Sequence, residues 1–330
     1  MARFASACAL LLVAAAVVLA AAAPLDDEPD APARAALQES IPALLDPTEV
    51  SPAGRRLAPP LALYPALSDQ RGLAPPSVRA LSAARRFAAS REGEISFAVL
   101  GPSGQITGRR IGRQHESASL IKAMILVAYL RELAREGREP SDFELQQMDY
   151  MIRLSDNYSA SELYEAVGPE ALDELAAEAG MRSFETNAFW GSCLLTAEDQ
   201  VRLFVSLDRL LPAAHRDLAR DMLENIASFH SWGIPQAARP AWRVFFKGGW
   251  RPDEEDGQIV HQAALLERGS RKVAMAVLTT HNPSETYGHD TVRGIARRLL
   301  SSGVPPGALV PLPALEGFAA PAPKRLRPPA

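Results

Sequence analysis

The segment Ser119-Leu-Ile-Lys-Ala-Met-Ile-Leu-Val-Ala-Tyr-Leu130 predicts a helix that is apolar on almost every face and carries a single charge, at Lys122. Only four of the 35 lysines and arginines in the chain are lysines. Arginine keeps its proton at ordinary pH, whereas a desolvated lysine can release it. We therefore expect burial to lower the pKa of Lys122 into a range that is useful for proton transfer.

Ser119 stands three residues before Lys122, near the predicted start of the same helix. This spacing places both side chains on one face, and a serine hydroxyl needs an adjacent base to act as a nucleophile. The helix start would add backbone N–H groups and a favourable dipole for a developing oxyanion. The alternative is a capping serine followed by a lysine whose amine reaches the surface. Taken alone, the motif does not decide between these two interpretations.

Two further motifs carry polar side chains that could take part in catalysis or substrate binding. Ser155-Asp156-Asn157 follows a helical stretch and precedes another, and as a single motif it is typical of an ordinary turn. Lys247-Gly248-Gly249 ends an alternating strand, where the simplest interpretation is a charged strand end followed by a glycine turn.

The order of predicted elements indicates the fold class. Strands at both ends of the folded part and helices between them predict an α+β fold in a layered α/β/α arrangement. One antiparallel sheet would be completed by N- and C-terminal segments, with a central helical lobe beside it. The predicted helices are 77–90, 119–137, 142–152, 159–167, 169–180, 196–211, 214–227 and 287–300, and the predicted strands are 95–100, 105–112, 242–250, 258–267 and 272–280.

The three motifs occur in the order that is set out for penicillin-interacting serine enzymes. In this respect the chain resembles the class A β-lactamase family, within the wider superfamily of serine β-lactamases and penicillin-binding proteins. The likeness extends over most of 77–302, including Leu278-Thr-Thr-His281 at the end of a strand before the final helix.

The resemblance implies a role for each motif. Ser119 would be the acylated serine and Lys122 its proton partner, while Ser155 would relay a proton to the leaving amine. Asn157 would hold substrate or Lys122, and Lys247 would supply a positive field for a substrate carboxylate and for Ser155. The oxyanion hole would come from the backbone N–H groups of Ser119 and Trp250, and the substrate site would be lined by Asn157, Gly248, Gly249 and Trp250.

The sequence departs from the family pattern in three places. Gly248 stands where the Lys-Thr-Gly motif has a hydroxyl that would bond a substrate carboxylate, and the stretch from Ser119 to Ser155 is shorter than in typical members. The glutamate that assists deacylation in the family, followed four residues later by an asparagine, has no clean match. Glu185 is the candidate for this role, although Asn187 follows it by only two residues.

The remaining segments predict an exported protein. Residues 1–23 have one arginine before an apolar run that ends in alanines, which indicates a cleaved signal peptide or an uncleaved anchor. Residues 24–76 predict a spacer rich in Pro and Ala, 77–302 the β-lactamase-like domain, and 303–330 a Pro-rich basic tail. We expect a secreted or cell-envelope location, with membrane contact only through the N-terminal segment if it stays uncleaved.

Charge and composition restrict the function further. The net charge of −4 gives no electrostatic footprint for nucleic acid. The six histidines show no short ligand spacing, so we expect no metal and no cofactor. We expect a monomeric serine hydrolase whose substrate is a β-lactam or a related peptidoglycan-like amide or ester, with slow deacylation. The alternatives are a non-catalytic wall-associated binding module and a D,D-peptidase or esterase.

Overall fold

The computed structural model describes residues 76–101 and 105–301. The predicted signal segment, the spacer up to residue 75 and the tail 303–330 lie outside the described residues. Within the described part of the chain, no helix is both long enough and apolar enough to cross a bilayer.

Seven strands of the described residues form two antiparallel sheets. The main sheet has the order β2-β1-β7-β6-β5, so strands from the two ends of the folded part meet where β1 pairs with β7. A small second sheet joins β3 to β4. The strands are β1 (Glu94–Leu100), β2 (Ile106–Arg109), β3 (Gln114–Glu116), β4 (Leu194–Thr196), β5 (Arg243–Pro252), β6 (Gln258–Arg268) and β7 (Arg271–Asn282).

Nine α-helices occupy the described residues. They are α1 (Val78–Ala89), α2 (Lys122–Arg135), α3 (Asp142–Asp149), α4 (Asn157–Ala179), α5 (Ala197–Val205), α6 (Leu207–Leu210), α7 (Arg216–Glu224), α8 (Ile234–Ala238) and α9 (Glu285–Leu300). Helices α1 and α9 pack on each other, and α9 also packs on β6 and β7, while α5 packs against β1, β6 and β7. The lobe predicted from the central helices has α2 and α4 in contact at its centre.

The burial of β6 shows that helices cover both faces of the sheet. Residues 259–266 are all buried, and successive residues of a strand point to opposite faces. An unbroken buried run in an antiparallel sheet therefore requires cover on both sides. The predicted α+β, layered architecture is confirmed.

Several predicted boundaries shift. β2 ends at Arg109 instead of Gly112, because Arg110 adopts a left-handed backbone with φ 48° and starts a turn. The predicted helices 159–167 and 169–180 form one element, α4, with a kink at Gly168, where φ is 74° and Pro169 follows. The predicted helix 196–211 divides at Ser206 into α5 and α6.

Candidate active site

Ser119 lies in a strained turn just before α2. A short 3-10 helix, Ala118–Ile121, precedes Lys122, and Ala118 has φ 43°. This left-handed conformation is unfavourable for a residue with a Cβ, and such strain gathers at functional sites. Ser119 is partly exposed while Ala118 and Leu120 are buried. The turn therefore presents the Ser119 side chain and hides those of its neighbours.

Gly249 allows strand β5 to lie directly against this turn. A Cβ placed on Gly249 would be 2.7 Å from the backbone nitrogen of Leu120 and 3.0 Å from that of Ser119. Contacts below 3.0 Å to backbone atoms cannot be relieved by a side-chain rotation. The glycine is thus required for the close approach of β5 to the start of α2, and this approach brings Trp250 next to the same turn.

Lys122 is fully buried on the first turn of α2, with no exposed side-chain surface. Its Nζ donates to the carbonyl oxygen of Ser155 at 2.6 Å and to Oδ1 of Asn157 at 2.8 Å, and lies 3.5 Å from Oγ of Ser155. Burial, with a further contribution from Lys247, holds the pKa of Lys122 well below its usual range. The amine predicted to be desolvated is therefore desolvated.

A distorted helix end positions Ser155 and Asn157. The residues after α3 form a single π-helical turn, Tyr150–Leu154, and Ser155 then adopts a left-handed backbone with φ 57° and ψ 34°. Asp156 caps α4 by accepting from the backbone N–H of Ser159 at 2.7 Å. π-Helical turns and left-handed serines are both uncommon. Here they direct the carbonyl oxygen of Ser155 and the Asn157 amide at Lys122.

Lys247 reaches the same serine from β5. Its Nζ donates to Oγ of Ser155 at 3.0 Å and to the carbonyl oxygen of Gly248 at 2.8 Å. Its side chain is 1% exposed, and this burial lowers the pKa of Lys247 to about 7. Three distant sequence motifs therefore converge on one hydroxyl, that of Ser155, which has a lysine on each side.

Comparison with known proteins identifies the family. The profile described as the β-lactamase enzyme family matches residues 138–302, half of the chain. The chain belongs to this family. The matched range contains Ser155, Asn157 and Lys247 and begins after Ser119 and Lys122. No curated protein matches the chain.

Solved β-lactamases share the fold. The β-lactamase from Sphaerobacter thermophilus is 17% identical, with 67% of this chain and 95% of that chain covered and a TM-score of 0.58. A class A β-lactamase from Mycobacterium abscessus is 21% identical, with 67% and 98% covered and a TM-score of 0.57. A class A representative from Bacteroides cellulosilyticus is 14% identical, with 68% and 97% covered and a TM-score of 0.60. The resemblance stated from the motifs is confirmed, and the family supports hydrolase activity of the serine β-lactamase type.

The segment 182–196 brings an indole to the lysine of this β-lactamase-family site. The ring centroid of Trp190 lies 4.7 Å from Nζ of Lys122. The indole N–H of Trp190 donates to Oγ of Ser161 at 3.1 Å, and its carbonyl oxygen accepts from Oγ of Ser117 at 3.0 Å. These bonds fix a buried apolar ring against Lys122.

Glu185 makes its contacts elsewhere. Its Oε1 accepts from Nε2 of Gln114 at 2.8 Å, and its backbone pairs with that of Leu194. Glu185 is exposed, and so is Gln114. Among the described residues, no hydrogen bond joins Glu185 to Lys122, Ser155 or Asn157. Its role as the deacylating base stays a prediction that these contacts do not favour.

Sequence reasoning missed an ion pair beside the turn that carries Ser119. Glu116, three residues before Ser119, pairs with Arg251, the residue after Trp250. The backbone oxygen of Glu116 also contacts Nε2 of the buried His261 at 3.0 Å. The pair joins β3 to β5 next to the two backbone N–H groups that would form the oxyanion hole. The sequence carries a charged residue near each motif, but only the folded structure shows that these two charges form a pair.

Lys247→Met is expected to stabilise the fold at pH 7 by roughly 1–3 kcal/mol, because a desolvated lysine without a carboxylate partner is unfavourable when buried. The unfolded lysine has its ordinary pKa of about 10.4, whereas the folded pKa is about 7. The unfolded state therefore binds more protons between these values, and wild-type stability rises with pH across that window. The advantage of the variant should be full below pH 7 and lost near pH 10.

Urea unfolding of both proteins at several pH values between 6 and 10 would measure this effect. Lys272→Met is the matched control, because Lys272 pairs with Asp208 and Glu267. Although burial opposes it, these hydrogen bonds raise the pKa of Lys272. The control should show no stabilisation. A Lys247→Met protein that is less stable than wild type at pH 7 would contradict the expectation.

Proposed function

We propose that the protein is an exported, monomeric serine hydrolase that forms an acyl-enzyme on Ser119. The observation that carries the proposal is the convergence of two desolvated lysines, Lys122 and Lys247, on Ser155 beside the strained turn of Ser119. A serine hydroxyl needs an adjacent base to act as a nucleophile, and a neutral amine of Lys122, three residues after Ser119, would supply that base. Export is supported by the apolar run in residues 1–23.

Lys122 has the contacts expected of a neutral amine that acts as a base. A neutral amine has two N–H bonds and one lone pair. The two short hydrogen bonds of Lys122, to the carbonyl oxygen of Ser155 and to Asn157, would take up the two N–H bonds, and the third contact, to Oγ of Ser155, is longer at 3.5 Å. The lone pair is then free to accept the proton of Ser119, which lies three residues earlier on the same face. Asn157 therefore orients the lysine in this proposal.

The acylation step uses groups on both sides of Ser119. Oγ of Ser119 attacks the carbonyl carbon of the substrate while its proton moves to Lys122. The resulting oxyanion accepts hydrogen bonds from the backbone N–H groups of Ser119 and Trp250, which lie near each other because Gly249 packs against the Ser119 turn. When the tetrahedral intermediate collapses, the bond to the leaving group breaks.

Ser155 would deliver the proton that the leaving group needs. Its Oγ accepts from Lys247 at 3.0 Å and lies 3.5 Å from Lys122. The proton taken from Ser119 can thus pass from Lys122 through the Ser155 hydroxyl to the departing nitrogen or oxygen. Lys247, whose pKa is lowered to about 7 by burial, supports this relay with a partial positive charge at neutral pH.

The substrates that fit this chemistry are β-lactams and related amides or esters of the cell wall. Two observations favour an alternative, a non-catalytic binding module with the same fold: Gly248 lacks the expected hydroxyl, and Trp190 occupies the space beside Lys122. A D,D-peptidase or esterase would use the same acylation step. All of the enzyme alternatives require a reactive serine, whereas the binding module does not, so a test for a reactive Ser119 distinguishes them.

Reaction with a fluorescent penicillin and with a fluorophosphonate would test the proposal. We expect wild-type protein to be labelled by the fluorophosphonate and Ser119→Ala to lose the label entirely, because the proposed nucleophile has been removed. Ser90→Ala, which removes an exposed serine at the end of α1, is the control and should label normally. Unlabelled wild-type protein would favour the binding module instead, and a label that survives Ser119→Ala would show that another residue is the nucleophile.

A further inference from the structure

One side of the site is built from aromatic rings. Phe229, His230 and Trp232 lie on the loop before α8, Trp250 on β5 and His289 on α9. We call these five side chains the aromatic wall. Ring centroids are 4.3 Å apart for Phe229 and His230, 4.4 Å for His230 and Trp250, and 5.9 Å for Trp250 and Trp232. His289 stacks on Trp232 at 4.0 Å.

The ring of Trp232 lies so close to position 248 that a side chain there would have to displace it by a few tenths of an ångström. A Cβ placed on Gly248 would lie 3.1 Å from Cζ2 of Trp232 and 3.3 Å from its Cη2. The side chain of Gln262 fixes the backbone around Trp232. Its Nε2 donates to the carbonyl oxygen of Trp232 at 3.0 Å, and its Oε1 accepts from the backbone N–H of Ile234 at 2.6 Å. The missing hydroxyl is therefore replaced by a fixed aromatic ring.

The wall carries no charge of its own at neutral pH. Burial, and then the nearby Lys247, lower the pKa of His230 to about 4. Burial also lowers the pKa of His289 to about 4, and the neighbouring Arg293 is paired with Asp290. Both imidazoles are therefore neutral. A carboxylate placed against these rings would lose water and would gain no charged partner from the wall itself. Lys247, beside Trp250, already donates to Ser155 and Gly248 and carries only part of a positive charge at neutral pH.

The wall begins next to the groups that would protonate the leaving group. Nζ of Lys247 lies 5.8 Å from the ring centroid of Trp250, and the same Nζ donates to Oγ of Ser155. The opposite end of the wall is open, since Phe229 is 68% exposed. The part of a substrate that departs from the acyl carbon would thus lie along the wall, with room to extend past Phe229.

We propose that the aromatic wall binds an uncharged aromatic leaving group, so that an ester of a neutral benzylic alcohol is a better acyl donor than the same ester carrying a carboxylate on its ring. The inference rests on the proposed function. In the step concerned, the bond from Oγ of Ser119 to the acyl carbon forms and the ester C–O bond breaks. The proton of Ser119 passes through Lys122 and Ser155 to the departing oxygen, which leaves as a neutral alcohol.

Benzyl butanoate and 4-carboxybenzyl butanoate would test this preference, because they transfer the same acyl group and differ by one carboxylate. We expect kcat/KM to be about tenfold or more higher for the benzyl ester, given the unfavourable burial of an unpaired carboxylate. Phe229→Ala should reduce this ratio by about three- to tenfold, the range of a lost ring–ring contact. Phe143→Ala removes another ring, 65% exposed on α3, and should leave the ratio unchanged.

Fluorophosphonate labelling of Ser119 distinguishes the failure of this inference from the failure of the proposed function. Equal kcat/KM values for the two esters in a protein that labels at Ser119 would overturn the aromatic subsite and leave the hydrolase intact. The same conclusion would follow if Phe229→Ala kept the full ratio. A protein that does not label at Ser119 would remove both proposals together.

Discussion

Lys122→Arg is expected to lower the rate of Ser119 acylation by about 10²–10⁴, the usual contribution of a general base. The substitution keeps a positive charge and removes the neutral amine, because a guanidinium does not release its proton at accessible pH. Lys122 is fully buried, and its pKa is held well below the usual range by burial and by Lys247. The rate of fluorophosphonate labelling under single-turnover conditions would measure the loss.

A second variant keeps this experiment decisive if arginine does not fit the buried site. Lys122→Met has a similar length and no charge, so the fold should be retained and acylation should still be lost. Circular dichroism would confirm that both variants are folded. Lys272→Arg, at a half-exposed lysine that pairs with Asp208, is the control for a lysine-to-arginine change. Normal labelling of folded Lys122→Arg would show that the lysine is structural and that another group activates Ser119.

The sequence was sufficient to predict features that depend on local pattern. The periodicity of apolar residues predicted the main helices and the strands of the large sheet, and the single charge in 120–130 predicted a desolvated Lys122. The spacing of Ser119 and Lys122 placed them on one face without any knowledge of the tertiary structure. These inferences succeed because helix and strand periods are properties of the backbone itself.

Features that depend on contacts between distant segments could not be predicted. The ring of Trp190 reaches Lys122 across 67 intervening positions because the small sheet of β3 and β4 holds its segment there. Strands of three residues are too short to show a hydrophobic period in the sequence. The same holds for Trp232, whose ring fills the space beside Gly248. The sequence showed that a hydroxyl was missing at position 248, and the structure shows what stands in its place.

The sequence pattern also did not predict the left-handed backbone conformations near the site. Ala118 and Ser155 are ordinary residues for a helix or a turn, yet both adopt left-handed conformations. Such conformations persist where the surrounding packing over-determines them. Around Ala118 that packing includes Gly249 of β5, and around Ser155 it includes the hydrogen bonds from Lys122 and Lys247. Ala118 therefore lies directly before the proposed nucleophile, and Ser155 is itself the proposed relay.

A β-lactam is expected to accumulate as a covalent adduct on Ser119, with turnover limited by deacylation. Acylation and deacylation have separate barriers, and each ~1.4 kcal/mol added to one slows that step about tenfold. The segment that faces Lys122 presents the indole of Trp190 instead of a carboxylate. Without a carboxylate to position and deprotonate water, deacylation should be slower by about 10²–10⁴ than a base-assisted step. Intact-mass measurement during hydrolysis of a penicillin would detect the adduct.

Glu185→Gln decides whether a glutamate in this segment nevertheless serves as the base. Because Glu185 is exposed and bonds Gln114, the substitution should leave the lifetime of the adduct unchanged. If Glu185 were the base, wild-type protein would hydrolyse a penicillin rapidly with no detectable adduct, and Glu185→Gln would trap it. That pair of results would make the protein an efficient β-lactamase and would require the segment around Trp190 to move when substrate binds.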